Sequence, residues 1–315
     1  MRLVQHKREA YWFYRYLSEF YDNYVNPFFW NERMRDEALV LADLGEPDLD
    51  VVDVGSGTGF TTAGIVKHVH PVAVTSIDQS PHQMAHARRR PELRGVTFLQ
   101  GDAEDLPFPT DQFDRYVSAG SIEYWPEPAR GIAEAYRVVK PGGKALMIGP
   151  IRPSNPVARA AADTWMLFPE EHEYIGWFRD AGFVDLKQRY IRPTWVQKQP
   201  YAIALVGTKP EAGASPADLP PRKLETSHVP VASPAEALKT GARVVAGSLA
   251  GGLFIPMALY GQAKDRLTRR LLGRSPAQAA AGPPDPLTPK QRNALIGIGA
   301  AAALWAISSV LRSRD

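Results

Sequence analysis

Three acidic residues in the first third of the chain each follow a short apolar run, and the first run empties into a glycine-rich loop. In Val51-Val-Asp-Val-Gly-Ser-Gly-Thr-Gly-Phe60, Asp53 precedes Gly55, Ser56, Gly57 and Gly59. Alternating glycines leave the backbone uncovered, so a ligand can lie directly on it where a strand passes into a helix. Nucleotide-binding folds of several kinds share such a turn, and alone it does not choose among them. Asp78, in Thr75-Ser-Ile-Asp-Gln-Ser80, stands 19 residues beyond Gly59. At that distance an acid accepts hydrogen bonds from ribose hydroxyls. The alternative is an N-cap for a helix starting near Pro81, a task that suits Ser80 better. Asp102, in Gln100-Gly-Asp-Ala-Glu-Asp-Leu-Pro-Phe-Pro109, can accept from an adenine amino group while the N–H of Ala103 faces a ring nitrogen. Ordinary turn residues are the other reading.

Positioning these residues requires strands and helices in alternation. The pattern predicts strands over Val51–Val54, Ala73–Ile77, Val96–Leu99, Arg115–Ala119, Lys144–Ile148, Asp185–Ile191 and Ala202–Gly207. Helical stretches fall between most of them, among them Pro81–Arg89 and Ala129–Val139. Such alternation argues for a parallel, doubly wound α/β sheet, with the two closing strands as an antiparallel hairpin at one edge. The fourth strand runs into Val117-Ser-Ala-Gly-Ser-Ile-Glu-Tyr-Trp-Pro126, over the carboxyl edge where open α/β sheets bind ligands. Arg137-Val-Val-Lys-Pro-Gly-Gly-Lys144 reads as a helix exit and tight turn with a structural role only.

With 315 residues the chain can bury a sizeable core. Its net charge of +3 clusters near the C-terminal end beside apolar segments, which does not call for a nucleic-acid partner. The absence of cysteine excludes disulfides, thiolate metal sites and cysteine nucleophiles. Seven histidines are scattered, so no metal is expected. Met1-Arg-Leu-Val-Gln-His-Lys-Arg8 has neither an apolar signal core nor a serine-rich transit composition. Residues 1–44, dense in aromatics between Tyr11 and Trp30, form an expected helical lid, with a helix packed on the domain by one aromatic face or lying on a membrane surface as the alternatives, and 45–208 the α/β domain. Residues 209–243 are rich in Pro, Ala and Ser and read as a linker. Val244–Ala263 and Ala294–Leu311 carry no charge and are each long enough to cross a bilayer core, so 244–311 predicts a membrane anchor of one or two helices.

Taken in order, these motifs resemble those of class I S-adenosylmethionine-dependent methyltransferases over roughly residues 45–208. The Asp-Val-Gly-Ser-Gly-Thr-Gly loop combined with Gly-Asp-Ala-Glu-Asp-Leu-Pro-Phe separates them from NAD enzymes. Gln5-His-Lys-Arg-Glu-Ala-Tyr-Trp-Phe-Tyr-Arg15, Asp78-Gln-Ser-Pro-His-Gln83, Ser118-Ala-Gly-Ser-Ile-Glu-Tyr-Trp-Pro126 and Trp165-Met-Leu-Phe-Pro169 are further similar to one subfamily. It is the plant-type 2-methyl-6-phytyl-1,4-benzoquinol / 2-methyl-6-solanyl-1,4-benzoquinol methyltransferases of tocopherol and plastoquinone synthesis. The resemblance implies a Rossmann-like sheet of seven strands, the last antiparallel, followed by a transmembrane segment. S-adenosylmethionine is the implied methyl donor, a prenylated benzoquinol the implied acceptor and membrane lipid an implied partner. The implied location is a membrane: the chloroplast inner envelope in a plant or alga, otherwise a cyanobacterial-type membrane.

Ring C-methylation needs an in-line approach and a nucleophile strengthened by partial loss of a phenolic proton. Glu123 is the candidate to take that proton, with Tyr124 and Trp125 as a wall facing the ring; a helix-start cap and core packing are the alternative. Asp53, Gly55, Ser56, Gly57, Gly59, Asp78, Gln79, Asp102, Ala103 and Ser118 are the implied cofactor contacts. Tyr21, with Asp22, occupies the position where related quinone methyltransferases close over the methionine moiety. His172 reads better as part of a solvated charged face, and Trp165-Met-Leu-Phe168 could line a greasy exit for the prenyl tail. Two other readings fit the same residues: a methyltransferase for a sterol or phospholipid headgroup, and a non-catalytic cofactor-binding scaffold at a membrane.

Overall fold

The computed structural model of the protein describes residues 30–193 and 201–220, together with 259, 260 and 263. Chain order gives α1 (Glu32–Leu39), β1 (Val51–Val54), α2 (Phe60–Ile65), β2 (Val74–Asp78), α3 (Pro81–Ala87), β3 (Thr97–Gln100), β4 (Phe113–Ala119), α4 (Pro128–Val138), β5 (Val139–Pro150), α5 (Pro156–Trp165), α6 (Glu171–Asp180), β6 (Val184–Ile191) and β7 (Ala202–Thr208). The strands form one seven-stranded sheet in the order β3-β2-β1-β4-β5-β7-β6. β1 pairs parallel with both β2 and β4, and β2 with β3. β7 lies antiparallel between β5 and β6. The expected hairpin is therefore present, but its second strand is inserted into the sheet and its first becomes the edge.

Side-chain alternation along the strands divides the core between the two faces of the sheet. Val51 joins Leu39, Ile65, Val117 and Leu146 on one face. Val52 and Val54 join Tyr116, Ile132, Met147 and Phe178 on the other. β1 is buried throughout, as a central parallel strand covered on both sides must be. β5 is longer than the apolar run suggests. Its ladder with β4 continues through Pro141-Gly-Gly143, where the register shifts opposite Phe113 and Arg115. Two helix starts follow ordinary capping chemistry: Asn31 Oδ1 accepts from Met34 N–H at 3.0 Å, and Ser80 Oγ, next to Pro81, accepts from Gln83 N–H at 3.4 Å.

Residues 209–220 lie against the domain. The Lys209 side chain is fully buried, with its ammonium paired to Asp111, 3.3 Å from the Arg137 carbonyl oxygen and over the Tyr136 ring at 4.6 Å. Ser215 Oγ donates to the Ala181 carbonyl at 3.0 Å, and Arg130 donates to the Pro220 carbonyl.

Residues 1–29 of the expected lid and almost all of 244–311 lie outside the described residues. Among the described residues no helix is long and apolar enough to cross a membrane. The longest, α4, has 11 residues, about 16 Å at the usual rise per residue against a hydrocarbon core of about 30 Å. This corrects the expectations of a C-terminal transmembrane helix, of membrane lipid as a partner and of a membrane-anchored location. The architecture found is the class I Rossmann-like sheet with its flanking helices.

Candidate functional site

The carboxyl ends of β1, β2, β3 and β4 converge on the glycine loop. Gly55 and Ser56 donate their N–H groups to the Ile77 carbonyl at 2.8 and 3.2 Å, which pins the loop to the end of β2. Gly55 has φ +72°, and a Cβ there would come within 2.4 Å of the Ser121 Cβ; at Gly57, φ +55°, it would meet Gln83 Oε1 at 2.5 Å. Positive φ and the close approach of Ser121 and Gln83 leave no room for a Cβ at either position, and the resulting backbone cradle suits a nucleoside-containing cofactor.

Asp78 is held by the loop it would serve. Its Oδ2 accepts from Gly57 N–H at 2.9 Å and its Oδ1 from Ser80 N–H at 2.7 Å. Burial pushes its carboxyl up, and the two N–H donors work against that shift. The N-cap of α3 is Ser80, so Asp78 is not used as one. Gln79 is half-buried and its carbonyl accepts from Gln100 Nε2 at 3.2 Å.

Asp53 is completely buried beneath the loop. Thr62 Oγ1 donates to its Oδ2 at 2.6 Å and lies 3.1 Å from Ser76 Oγ. Oδ1 has no hydrogen-bond partner among the described residues. Burial lifts the carboxyl to about 7, Thr62 opposes that, and the nearby Asp78 adds to it. A cationic group brought to this end of the cradle would meet an acid whose second oxygen is unspent. Ser56 Oγ is also buried without a partner among the described residues.

Beyond β3, Asp102 Oδ1 accepts from Glu104 N–H at 3.0 Å, and the Asp102 carbonyl accepts from Asp105 N–H at 3.1 Å. Gly101 N–H bonds to the Asp78 carbonyl at 3.1 Å, which sets this turn beside β2. Asp102 and Ala103 are both half-buried.

The turn after β4 carries Glu123. Ile122–Tyr124 is a single 3-10 turn. Glu123 is 7% exposed, its Oε2 has no partner among the described residues, and burial raises its carboxyl to about 7. Its Oε1 would stand 3.7 Å from a Cβ at Gly120, the residue that ends β4 with φ +65°. Its carbonyl accepts from Leu167 N–H at 3.2 Å, tying the segment after α5 to this turn. Ser118 Oγ lies 2.8 Å from Ser121 Oγ, so that hydroxyl is engaged inside the turn. Tyr124 and Trp125 are buried, and a Cβ at Gly131 of α4 would collide with the Trp125 ring at 2.4 Å. Trp165, Met166 and Leu167 are buried too, whereas His172 is exposed on the first turn of α6, 3.5 Å from Glu170. Tyr21 and Asp22 lie outside the described residues. Among the described residues no group of His, Asp and Glu could hold a metal ion.

Thr62, Ser76, Gln83 and Ser121 shape the site without having been singled out in the sequence. Thr62, three residues past Gly59 on the first turn of α2, had the clearest signal: a buried strand acid needs a donor within reach.

A family model described as "Methyltransferase domain" matches residues 52–147. The Arabidopsis thaliana 2-methyl-6-phytyl-1,4-hydroquinone methyltransferase, chloroplastic, is 52% identical over 271 residues, 84% of this chain and 79% of that one. A rice (Oryza sativa subsp. japonica) relative of the same description, numbered 2, is also 52% identical, over 84% of this chain and 76% of its own. Among solved structures, the [4+2]-cyclase SpnF has a TM-score of 0.53 at 20% identity, covering 65% of this chain and 97% of its own, which is a likeness of fold.

Proposed function

The chain belongs to the 2-methyl-6-phytyl-1,4-hydroquinone methyltransferase family, and from that membership we propose that it methylates a ring carbon of 2-methyl-6-prenyl-1,4-benzoquinols. The products are the dimethyl prenyl quinols of tocopherol and plastoquinone synthesis. The observation that carries the reading is identity of 52% across 84% of the chain to the Arabidopsis relative. The glycine cradle and the buried carboxyl of Glu123 supply chemistry consistent with it.

Bound S-adenosylmethionine supplies an electrophilic methyl group on a positively charged sulfur. The protein's part is to hold, orient and exclude water. Asp78 accepts from ribose hydroxyls while its own grip on Gly57 keeps the loop closed against β2. Asp102 and the Ala103 N–H recognise the adenine edge. Asp53, with Oδ1 unspent, favours positive charge at the methionine end. Glu123 receives the phenolic proton as the ring carbon takes the methyl group and the C–S bond breaks, and the ring regains aromaticity when the hydrogen at that carbon moves as a proton to the ketone oxygen. A carboxyl lifted to about 7 suits that task, because it is largely ionised at slightly alkaline pH yet basic enough to share a phenol's proton. Burial of Tyr124 and Trp125 gives the turn a rigid backing.

A labelled-methyl assay on a panel of 2-methyl-6-prenyl quinols, sterols and amino lipids tests the reading. Turnover is expected with the quinols. Label appearing only in sterols or amino lipids would overturn it.

A further inference from the structure

Glu104 takes no part in the chemistry above, yet its side chain is 5% exposed and lies between two loops of the site. Its backbone N–H donates to Asp102 Oδ1 at 3.0 Å, so it orients the carboxylate assigned to adenine. Its side-chain Oε1 accepts from Glu127 N–H at 2.6 Å. Glu127 precedes α4 and closes the turn that begins at Gly120 and carries Glu123. A single residue thus grips the loop after β3 with its backbone and the loop after β4 with its carboxylate. A carboxylate at the start of an 11-residue helix is also favourably placed against the helix dipole.

The far end of the first loop is fastened to the same helix. Leu106 N–H donates to Glu134 Oε2 at 2.7 Å, while Arg137 donates to the Leu106 and Phe108 carbonyls at 2.9 and 2.6 Å. Glu134 and Arg137 are themselves paired at 2.7 Å. With that anchor fixed on α4, the Glu104–Glu127 hydrogen bond links the segment from Asp102 to Glu104 to the acceptor side.

We propose that Glu104 is a positioning residue that couples the two halves of the site. Ordering of the Asp102 loop by the adenine end of the cofactor is transmitted through Oε1 to Glu127 and sets the turn bearing Glu123, so each ligand raises the affinity of the other. The inference rests on the proposed function, because it takes the loop after β3 as the adenine side and the turn after β4 as the acceptor side.

The test is a binding cycle on the full chain, read by calorimetry without turnover. Affinities of S-adenosylhomocysteine and of a short-chain 2-methyl-6-prenyl quinol are measured alone and together, in wild type and in Glu104→Gln, Glu104→Asp and Glu104→Ala. In wild type each ligand is expected to tighten the other by about tenfold, a common size for coupling between sites. Gln retains an acceptor oxygen at the same reach and keeps most of the coupling. Asp, one methylene shorter, and Ala lose it, with the factor falling toward one. If Ala fails to fold, the Gln and Asp pair makes the same comparison. Coupling that is absent in wild type, or equal in wild type and Glu104→Asp, overturns the proposal, whatever happens to thermal stability. Asp102→Ala separates the two ideas: unchanged homocysteine-nucleoside affinity in that variant removes the adenine assignment itself.

Discussion

Replacing Glu123 by Gln perturbs the buried acid without changing its size. The carboxyl is 7% exposed, has one oxygen without a partner among the described residues, and is lifted from 4.5 to about 7 by burial. Between those two values the folded wild type still holds a proton that the unfolded chain has released. Stability contributed at low pH is therefore lost as pH rises through the window, and the loss is complete above about 7. At about 1.4 kcal/mol for each pH unit of the interval, the accumulated penalty is about 3 kcal/mol. Gln carries no charge at either end of the range. Glu123→Gln should match wild type near pH 4 and exceed it by about 3 kcal/mol at pH 8, which is roughly 6–12 °C in Tm for a domain of this size. Asp53 titrates over a similar interval but is present in both proteins and cancels from the difference. Urea unfolding of the ligand-free proteins, repeated from pH 4 to 8.5, measures the gap directly. The same variant should lose about 100-fold or more in turnover with unchanged affinity for S-adenosylhomocysteine. A stability gap that stays constant with pH, or a Gln variant less stable than wild type at pH 8, refutes the account of Glu123 as a desolvated acid.

Asp78→Ala should weaken cofactor affinity by about 1.5–3 kcal/mol, since it removes a charged acceptor and frees the Gly57 N–H it holds; calorimetry returning an unchanged Kd would dismiss its ribose role. Cofactor affinity of the wild type should fall as pH drops through about 7, where Asp53 takes up a proton, and Asp53→Asn should flatten that profile. Gly55→Ala sets a Cβ 2.4 Å from Ser121 at a positive φ, so it should abolish measurable cofactor binding by equilibrium dialysis; retained binding would mean the loop opens on another side. Asp111→Ala leaves the fully buried Lys209 ammonium without its carboxylate and should cost about 3–5 kcal/mol in denaturant titration.

The strand sequence and the glycine loop were legible because their signals are local. Val51–Val54 begins and ends where the apolar run does, and Ser80 beside Pro81 marks the start of α3 from its own chemistry. The partners that tune the site come from elsewhere in the chain. Ser121 limits Gly55 across 66 positions of sequence, and Gln83 on α3 limits Gly57 across 26. Asp53 was visible as an acid, but not its shift to about 7, which depends on Thr62, on Asp78 and on complete burial between strands. Pro, Ala and Ser after Lys209 read as a linker, while the contacts of residues 209–220 with Asp111, Ala181 and Arg130 require knowing which helices lie alongside. The placement of β7 between β5 and β6 likewise depends on pairing partners that apolar runs do not name.

The insertion of β7 reverses the direction in which the domain ends. Lys144 of β5 pairs with Thr208 and Pro150 with Ala202, so β7 finishes at the edge of the sheet opposite the glycine loop. From there the chain doubles back: Lys209 sits by Arg137 at the end of α4, and Pro220 meets Arg130 near its beginning. Pro220 consequently lies on the glycine-loop side of the sheet, beside Arg130 near the start of α4. A fluorophore or fusion partner attached there would be a close-range reporter of traffic through the site's mouth, while one attached at the Pro141-Gly-Gly143 turn would watch from the opposite pole.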